Sequence, residues 1–444
     1  MTPTSSQAQA PAVSPAGAAS WTRLAPILVV HFCGTLGFSI ALPFLVFLVT
    51  DFGGAPWTYG LVGATYSAAQ LVGAPILGRW SDRTGRRPVL LLSQGGTLLA
   101  WLIFLGALQL ERHVLGEVAG ATVTVPLLLV FLARLLDGLT GGNISVANAY
   151  VADLTRDDKE ARSVAFGRMG MATSLGFTLG PALAGLLGGL GDGYSAPVMA
   201  AALVSAVGVA LCATLKEPGG RCPEGPPQQR TLNRVLGQQQ RRCDRQPTRL
   251  DRSVLRQPTV LLLLSATFVL FLGFNLYYAS WPIHTTQSIG WSSVELGAFF
   301  SLMSIAMVVM QGPVLQWATK RFAPRTVFGV GLTGLVVAFL CFPIEMSFAA
   351  YAGGLLFAFG NGLAWATFQA RTSNAVPDSE QGIVQGASAS VGALASIVGL
   401  ILGGMLYPVF GKGVFLLCTA HFVLVLFATP LLFPRASTRS PQDA

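Results

Sequence analysis

The chain has 444 residues, of which 52% are hydrophobic and only 11% are charged, and its formal net charge is +9. Soluble domains contain about 25% charged residues, so this composition excludes an ordinary water-facing surface and favours a membrane protein. A basic chain can bind nucleic acid, but most of the 28 lysines and arginines lie in segments between apolar stretches. We therefore expect no nucleic-acid partner.

The chain begins with a polar segment and continues as a series of apolar ones. Residues 1–22 are rich in Ala, Pro, Ser, Thr and Gln and lack the basic start of a signal peptide, which predicts a disordered cytoplasmic tail. Stretches of about 20 apolar residues then recur, the length at which a helix crosses a bilayer. They predict spans 1 to 12 at residues 24–49, 58–78, 89–110, 124–143, 165–190, 196–215, 258–283, 294–317, 326–343, 348–370, 383–407 and 412–433.

The spans fall into two sets of six. The expected fold is an all-α multi-pass membrane protein with six-helix bundles at 23–215 and 258–433 around a central cavity. Residues 216–257, rich in Pro, Gln and Arg, are interpreted as a basic cytoplasmic linker, and 434–444 as a second cytoplasmic tail. We expect a monomer in a lipid bilayer.

Lysine and arginine are concentrated in the tails, the linker and every second loop. Because positive residues accumulate on the cytoplasmic side, both termini are predicted to be cytoplasmic. No sorting signal identifies the membrane; the plasma membrane is favoured, and an internal membrane is the alternative.

The two halves resemble each other in sequence. Residues 73–89 align without gaps on 311–327, with Arg83 over Arg321 and Arg87 over Arg325. Gly167, Gly180 and Gly185 likewise align on Gly386, Gly399 and Gly404. Repeated halves are typical of secondary transporters, which bind substrate between the repeats, so the pattern indicates alternating access.

A charged segment separates spans 2 and 3 and is predicted to form a tight cytoplasmic hairpin. Gly78 would permit close helix approach, and Asp82 would cap or pair with a neighbouring helix end. The alternative is a simple positive-inside anchor, which needs neither the acid nor the glycines. The segment's candidate gating residues are Gly78, Asp82, Arg83, Gly85, Arg86 and Arg87.

Spans 4 and 5 carry further candidates. Arg134 and Asp137 are three residues apart, so they share a helix face and can pair. Ionisable residues within a span are functional by default, with a structural ion pair as the alternative. Gly176 and Gly180 predict tight packing and Pro181 a bend, with a generic glycine-rich packing face as the alternative.

Span 1 contains His31, which could carry a proton near neutral pH, although hydrogen-bonded packing is the commoner role. There is no Walker lysine loop, and the four histidines are dispersed. We therefore expect no ATP use, no metal, no cofactor and no enzymatic activity. The expected coupling ion is the proton, with the proton gradient as the energy source. Further candidates for lining the cavity are Gln70, Asn275, Tyr277, Tyr278, Gln311, Asn361, Trp365 and Gln369.

These motifs resemble those of the major facilitator superfamily, and more narrowly its twelve-span drug–proton antiporters, which include the tetracycline efflux proteins. The resemblance covers residues from about 24 to 433. Besides the charged segment, the matching residues are Leu36, Gly37 and Pro43 in span 1, Arg134, Gly138 and Gly142 in span 4, and Gly167, Gly176, Gly180, Pro181 and Gly185 in span 5.

The resemblance implies a secondary active transporter of small amphipathic organic solutes, with organic anions and drug-like compounds favoured, acting by proton-coupled antiport. Spans 1, 4, 7 and 10 would line the cavity, and Arg134 would attract an anionic group or gate a proton while Asp137 sets its charge state. The alternatives are a proton-independent facilitative transporter and a non-transporting scaffold or receptor. Because Lys320 replaces the acid in the C-terminal copy of the charged segment, the N-terminal copy is predicted to hold the working gate.

Overall fold

The computed structural model describes residues 21–141, 143–155, 159–188, 194–217, 252–377 and 380–434. The predicted tails and most of the linker lie outside this part of the chain, so the predicted domain boundaries stay predictions. Within the described residues, twelve helical segments are long and apolar enough to cross a membrane, which confirms the twelve predicted spans.

The first six spans run over Trp21–Asp51, Pro56–Thr84, Arg86–Gln109, Val125–Thr140 continued by Asn143–Leu154, Lys159–Gly188 and Ser195–Thr214. A short helical turn at Arg252–Arg256 precedes the second half. The last six spans run over Pro258–His284, Ser293–Val309 continued by Leu315–Arg321, Pro324–Cys341, Ser347–Ser373, Gln381–Phe410 and Gly413–Leu432.

Span 4 is longer than predicted and is broken. Its first helix ends at Thr140, and a second helix continues to Leu154, beyond the predicted end at residue 143. Glycine is the least favourable ordinary helix residue after proline, and Gly141 lies at the break. The helix resumes because Val146, Ala147 and Val151 bury apolar surface again.

Span 8 contains a wide helical turn at Met310–Val314, where each backbone bond reaches one residue further than in an α-helix. Pro313 lies within this turn and has no N–H to donate, so it cannot complete the regular pattern. The last four residues of this turn, 311–314, begin the C-terminal copy of the repeat.

A two-stranded antiparallel sheet lies between spans 3 and 4, and sequence reading missed it. Strand β1, Val114–Val118, pairs with strand β2, Ala121–Thr124. The connecting residues Ala119 and Gly120 both have positive φ, as the favoured two-residue hairpin turn requires. The two strands have only five and four residues, which is too short for a clear alternation of apolar and polar residues in the sequence.

We call the end of the molecule where span 1 begins and span 12 ends the terminal end, and the opposite end the far end. At the far end, Thr122 N donates to Gly53 O at 2.9 Å, which attaches the hairpin to the loop before span 2.

Tyr194 also lies at the far end, where burial of the phenol and then the neighbouring Asp51 carboxylate raise its pKa. Its phenol therefore stays protonated next to the end of span 1.

The two halves touch at the far end. A Cβ built on Gly60 of span 2 would meet the backbone of Leu400 in span 11, and a Cβ on Gly404 would lie 3.1 Å from Trp57 Cα. A Cβ on Gly185 of span 5 would lie 3.3 Å from Gly297 Cα in span 8. Only glycine allows backbones to approach this closely.

The same helix faces separate at the terminal end. Gly78 follows Gly60 by 18 residues, Gly167 precedes Gly185 by 18, and Gly386 precedes Gly404 by 18. Eighteen residues are about five α-helical turns, so each pair shares one face over about 27 Å. A Cβ on Gly78, Gly167 or Gly386 would meet nothing within 4 Å. The halves are therefore closed at the far end and open at the terminal end.

Candidate functional site

The charged segment forms a hairpin that is tighter than the gap between predicted spans 58–78 and 89–110 implies. Span 2 continues to Thr84, span 3 begins at Arg86, and Gly85 alone forms the turn with φ +107°. This φ is favourable for glycine and strained for other residues, so a single glycine can form the whole turn between the two helices. The close approach predicted at Gly78 is absent from this conformation, since a Cβ built on Gly78 would meet nothing within 4 Å.

Arg86 joins the terminal ends of three spans and is only 3% exposed. Its Nη1 lies 2.7 Å from Asp82 Oδ1 in span 2 and donates to Ser81 Oγ at 2.6 Å. Its Nε donates to Asp153 Oδ2 in span 4 at 3.0 Å. Asp82 thus pairs with the first residue of the neighbouring span 3, in line with the expectation that it would pair with a neighbouring helix end. Asp153 was missed because span 4 was expected to end before it.

Glu217, which follows span 6, completes this cluster and was also missed. Its carboxylate accepts hydrogen bonds from the backbone N–H groups of Arg86 and Arg87, the latter at 2.9 Å. These groups have no partner within span 3, and the positive end of a helix dipole favours the carboxylate. The Arg87 side chain donates in return to Ala213 O at 2.6 Å. We call Asp82, Arg86, Asp153 and Glu217 the terminal charge cluster.

We expect Glu217→Gln to lower the unfolding free energy by about 1 kcal/mol, because a neutral amide interacts less well with the start of span 3. Thermal unfolding of the detergent-purified protein measures the change. The control is Glu117→Gln on the exposed strand β1. A melting temperature equal to that of the control would contradict the role of Glu217.

The buried ion pair of span 4 is present. Arg134 Nη1 lies 3.5 Å from Asp137 Oδ2, and Thr97 Oγ1 donates to Asp137 Oδ1 at 2.8 Å. The Arg134 guanidinium lies over the rings of Phe104 and Trp101 in span 3, at 5.1 and 5.7 Å. Its side chain is only 2% exposed. Direct attraction of an anionic solute by Arg134 therefore does not fit this conformation, because span 3 encloses the cation.

Gln70 lies beside the break in span 4. Its Nε2 donates to Gly141 O at 3.2 Å and to Tyr66 Oη at 3.1 Å. One carbonyl that the interrupted helix leaves without a regular partner is thus satisfied by span 2. The predicted neighbour Gly142 lies outside the described residues.

Spans 1 and 5 form a close seam. Ser39 Oγ donates to Gly176 O at 2.8 Å, and a Cβ on Gly180 would lie 2.8 Å from Ser39 Cβ. His31 Nε2 lies 2.7 Å from Thr173 Oγ1. The Thr173 hydroxyl hydrogen is already given to the Met169 carbonyl at 3.0 Å, so Nε2 is the donor. This favours the packing role of His31 over the proton role.

Pro181 lies at the far end of this seam, within the long helix of span 5. Its carbonyl oxygen would lie 3.2 Å from a Cβ on Gly297 of span 8. Pro181 therefore borders the contact between the halves, next to Gly185.

Tyr277 does not line a cavity, contrary to prediction. It is fully buried in the second half, with its ring stacked on Phe357 and Phe342 at 4.8 and 5.0 Å. Successive residues of a helix point about 100° apart, so adjacent tyrosines cannot share one face. Tyr278 is the half-buried one of the two.

The remaining candidates of the second half are all half-buried: Asn275, Gln311, Asn361, Trp365 and Gln369. The last three are four residues apart along span 10 and so share a face. Asn361 Oδ1 and Gln369 Oε1 have no hydrogen-bond partner among the described residues. Trp365 packs edge-on against Phe271 at 5.1 Å. Span 10 thus carries two buried amide oxygens on the same face as Trp365.

The first half carries a matching aromatic group that sequence reading missed. Phe38 of span 1 contacts Tyr66 of span 2 at 5.2 Å and Phe177 of span 5 at 6.2 Å between ring centroids. All three are partly exposed. Aromatic faces with a few polar groups are the usual lining of a site for small organic molecules.

Comparison with known proteins gives consistent findings. The sequence profile described as Major Facilitator Superfamily matches residues 27–272 and 263–444. The class C tetracycline resistance protein of Escherichia coli is 29% identical over 352 residues, 79% of this chain and 80% of the relative. Major facilitator superfamily domain-containing protein 10 of Bos taurus is 27% identical over 402 residues, 85% of this chain and 79% of the relative.

A solved structure has the same fold. The human organic anion transporter MFSD10 (TETRAN) superposes with a TM-score of 0.61 at 23% identity, covering 92% of this chain and 98% of that one. The resemblance to the animal tetracycline transporter-like protein therefore extends over most of the chain.

Proposed function

The chain belongs to the Major Facilitator Superfamily, a family of membrane transporters, and from this premise we propose that it is a secondary active transporter of small amphipathic organic solutes working by proton-coupled antiport. The observation that carries the proposal is the pair of glycine-lined faces, closed at the far end and open at the terminal end. Such an interface can exchange which end is closed without refolding either half. This is the motion that alternating access requires.

The aromatic and amide groups of both halves support the solute class. We assign the aromatic groups of Phe38, Tyr66 and Phe177 in the first half and of Trp365 and Phe271 in the second half to the lining of the proposed central cavity. Aromatic surface suits a planar or drug-like body, and a few amides fix its orientation. The names of the relatives, a tetracycline resistance protein and an organic anion transporter, agree with this class and with organic anions in particular.

Asp137 is the proposed proton carrier. It is a carboxylate buried within a span, and Thr97 and Arg134 fix its position. An ionisable group buried within a span is costly, so its presence supports a role in transport. The terminal charge cluster is the proposed gate at the terminal end, which we assign to the cytoplasm because most positive residues lie there. The plasma membrane is the proposed location.

Flux into proteoliposomes tests the function. We expect organic anions with aromatic rings to accumulate when a pH gradient is imposed and to equilibrate without accumulation when it is absent. Equal flux in both conditions would support the facilitative alternative and overturn the antiport proposal. The absence of flux for every anion and cation in a broad panel would support the scaffold or receptor alternative and overturn transport itself.

A further inference from the structure

A cavity of about 1010 Å³ lies within the second half at the terminal end, between spans 8, 9, 10 and 12. Spans 9 and 12 contribute much of its wall, and neither is among the spans proposed to line the central cavity. Its apolar wall includes Leu426 and Gly329, while Thr319 and Asn374 add polar groups. The cavity is therefore amphipathic.

Its charge is positive. Arg325 and Arg371 both line it and both are half-buried, and none of the described lining residues is acidic. Arg371 Nε donates to Leu432 O at 3.1 Å, which holds this arginine against the end of span 12. Span 9 begins at Pro324 without a capping side chain, so the positive end of its dipole adds to the same region.

Comparison of the two repeats indicates that, among the described residues, this cavity lacks a carboxylate that the first half has at the corresponding place. Arg87 in the first half corresponds to Arg325 in the second. At Arg87 the start of the helix is covered by the carboxylate of Glu217, three residues after the end of span 6. The residue three after the end of span 12 is Arg435 in the sequence. The first half thus supplies its own anion, whereas the second half presents cations to an open cavity.

We propose that this cavity binds the phosphate headgroup of an anionic phospholipid from the leaflet at the terminal end. Arg325 and Arg371 hold the phosphate through charge-assisted hydrogen bonds, and an acyl chain follows the wall at Gly329 and Leu426. The Thr367 hydroxyl, which has no partner among the described residues, lies in the same wall. A lipid matches both the charge and the apolar wall, whereas a free phosphate matches only the charge.

Native mass spectrometry of the full chain tests the proposal, with phosphatidylglycerol, phosphatidylcholine and inorganic phosphate as probes. We expect retained phosphatidylglycerol to exceed phosphatidylcholine and to fall about tenfold for each arginine lost in Arg325→Gln and Arg371→Gln. Arg321→Gln is the matched control, because Arg321 lies over the Trp317 ring at 5.1 Å and does not line the cavity. Loss in the control equal to that in the two variants would overturn the site.

A second variant separates lost binding from misfolding. A Cβ on Gly329 would meet nothing within 4 Å, so Gly329→Phe can fill the cavity while both arginines remain. We expect it to keep the wild-type melting temperature and to lose phosphatidylglycerol retention. Retention at the wild-type level would overturn the proposal. So would a thermal stabilisation by inorganic phosphate equal to that by phosphatidylglycerol, which would assign the site to a free anion.

Discussion

Replacing Gly60 by leucine is expected to force the far end open and to shift the protein toward a conformation closed at its terminal end. The new side chain would overlap the backbone of span 11, and overpacking of this kind costs about 1–3 kcal/mol. A cost of that size changes the ratio of two conformations about 5- to 150-fold. Gly78→Leu, on the same face of span 2, should have the opposite effect, because its side chain enters the open space that closure must remove.

Spin labels at residues 79 and 320 report the terminal end, and labels at residues 113 and 346 report the far end, in a background without native cysteines. In Gly60→Leu we expect the first distance to shorten and the second to lengthen by about one helix diameter, about 10 Å. In Gly78→Leu both distances should stay as in the wild type even when substrate is added. Identical distance distributions in the two variants would rule out the alternating interface.

Replacing Asp137 by asparagine is expected to abolish accumulation driven by a pH gradient, with a loss of at least about tenfold, while exchange of substrate across the membrane continues. Asparagine can still accept the hydrogen bond from Thr97, but it cannot take up and release a proton. Proteoliposome flux with and without the gradient measures both activities. Glu345→Gln, an exposed acid paired with Lys412, is the control. Undiminished accumulation in Asp137→Asn would remove Asp137 from proton coupling.

A double variant distinguishes proton coupling from a structural ion pair. Arg134→Ala alone leaves a buried carboxylate unpaired and should destabilise the protein by about 3–5 kcal/mol. Arg134→Met combined with Asp137→Leu removes both charges and should restore much of that stability. If this double variant also restored accumulation, the pair would serve only to hold span 4 against span 3.

Span positions and the buried pair could be predicted because they follow from local patterns. Apolar length predicts a span, and a spacing of three residues places Arg134 and Asp137 on one face. The clamp of Glu217 on the start of span 3 could not be predicted, since it joins residues 130 positions apart. Tyr277 was assigned wrongly because hydrophobicity all around span 7 does not reveal which face packs inward.

The turn between spans 2 and 3 shows a different limit of prediction from sequence. The charged segment was recognisable from its glycines and arginines, but charge was read as evidence of a loop. In the structure most of these residues are helical, because Arg86 is buried and paired with Asp82, whose own side chain stays partly exposed at the end of span 2. Gly85 was the informative residue, and its role depends on backbone conformation that composition does not reveal.

The hairpin at the far end also offers a way to establish sidedness. Val114, Leu115 and Val118 on β1 are more than half exposed, and Ala119 and Gly120 form the tip of the turn. Loop tips of this kind tolerate short insertions. An epitope placed between Ala119 and Gly120 should therefore be recognised by antibody on intact cells if the termini are cytoplasmic and the protein resides in the plasma membrane. One tag would then report orientation and cellular address together.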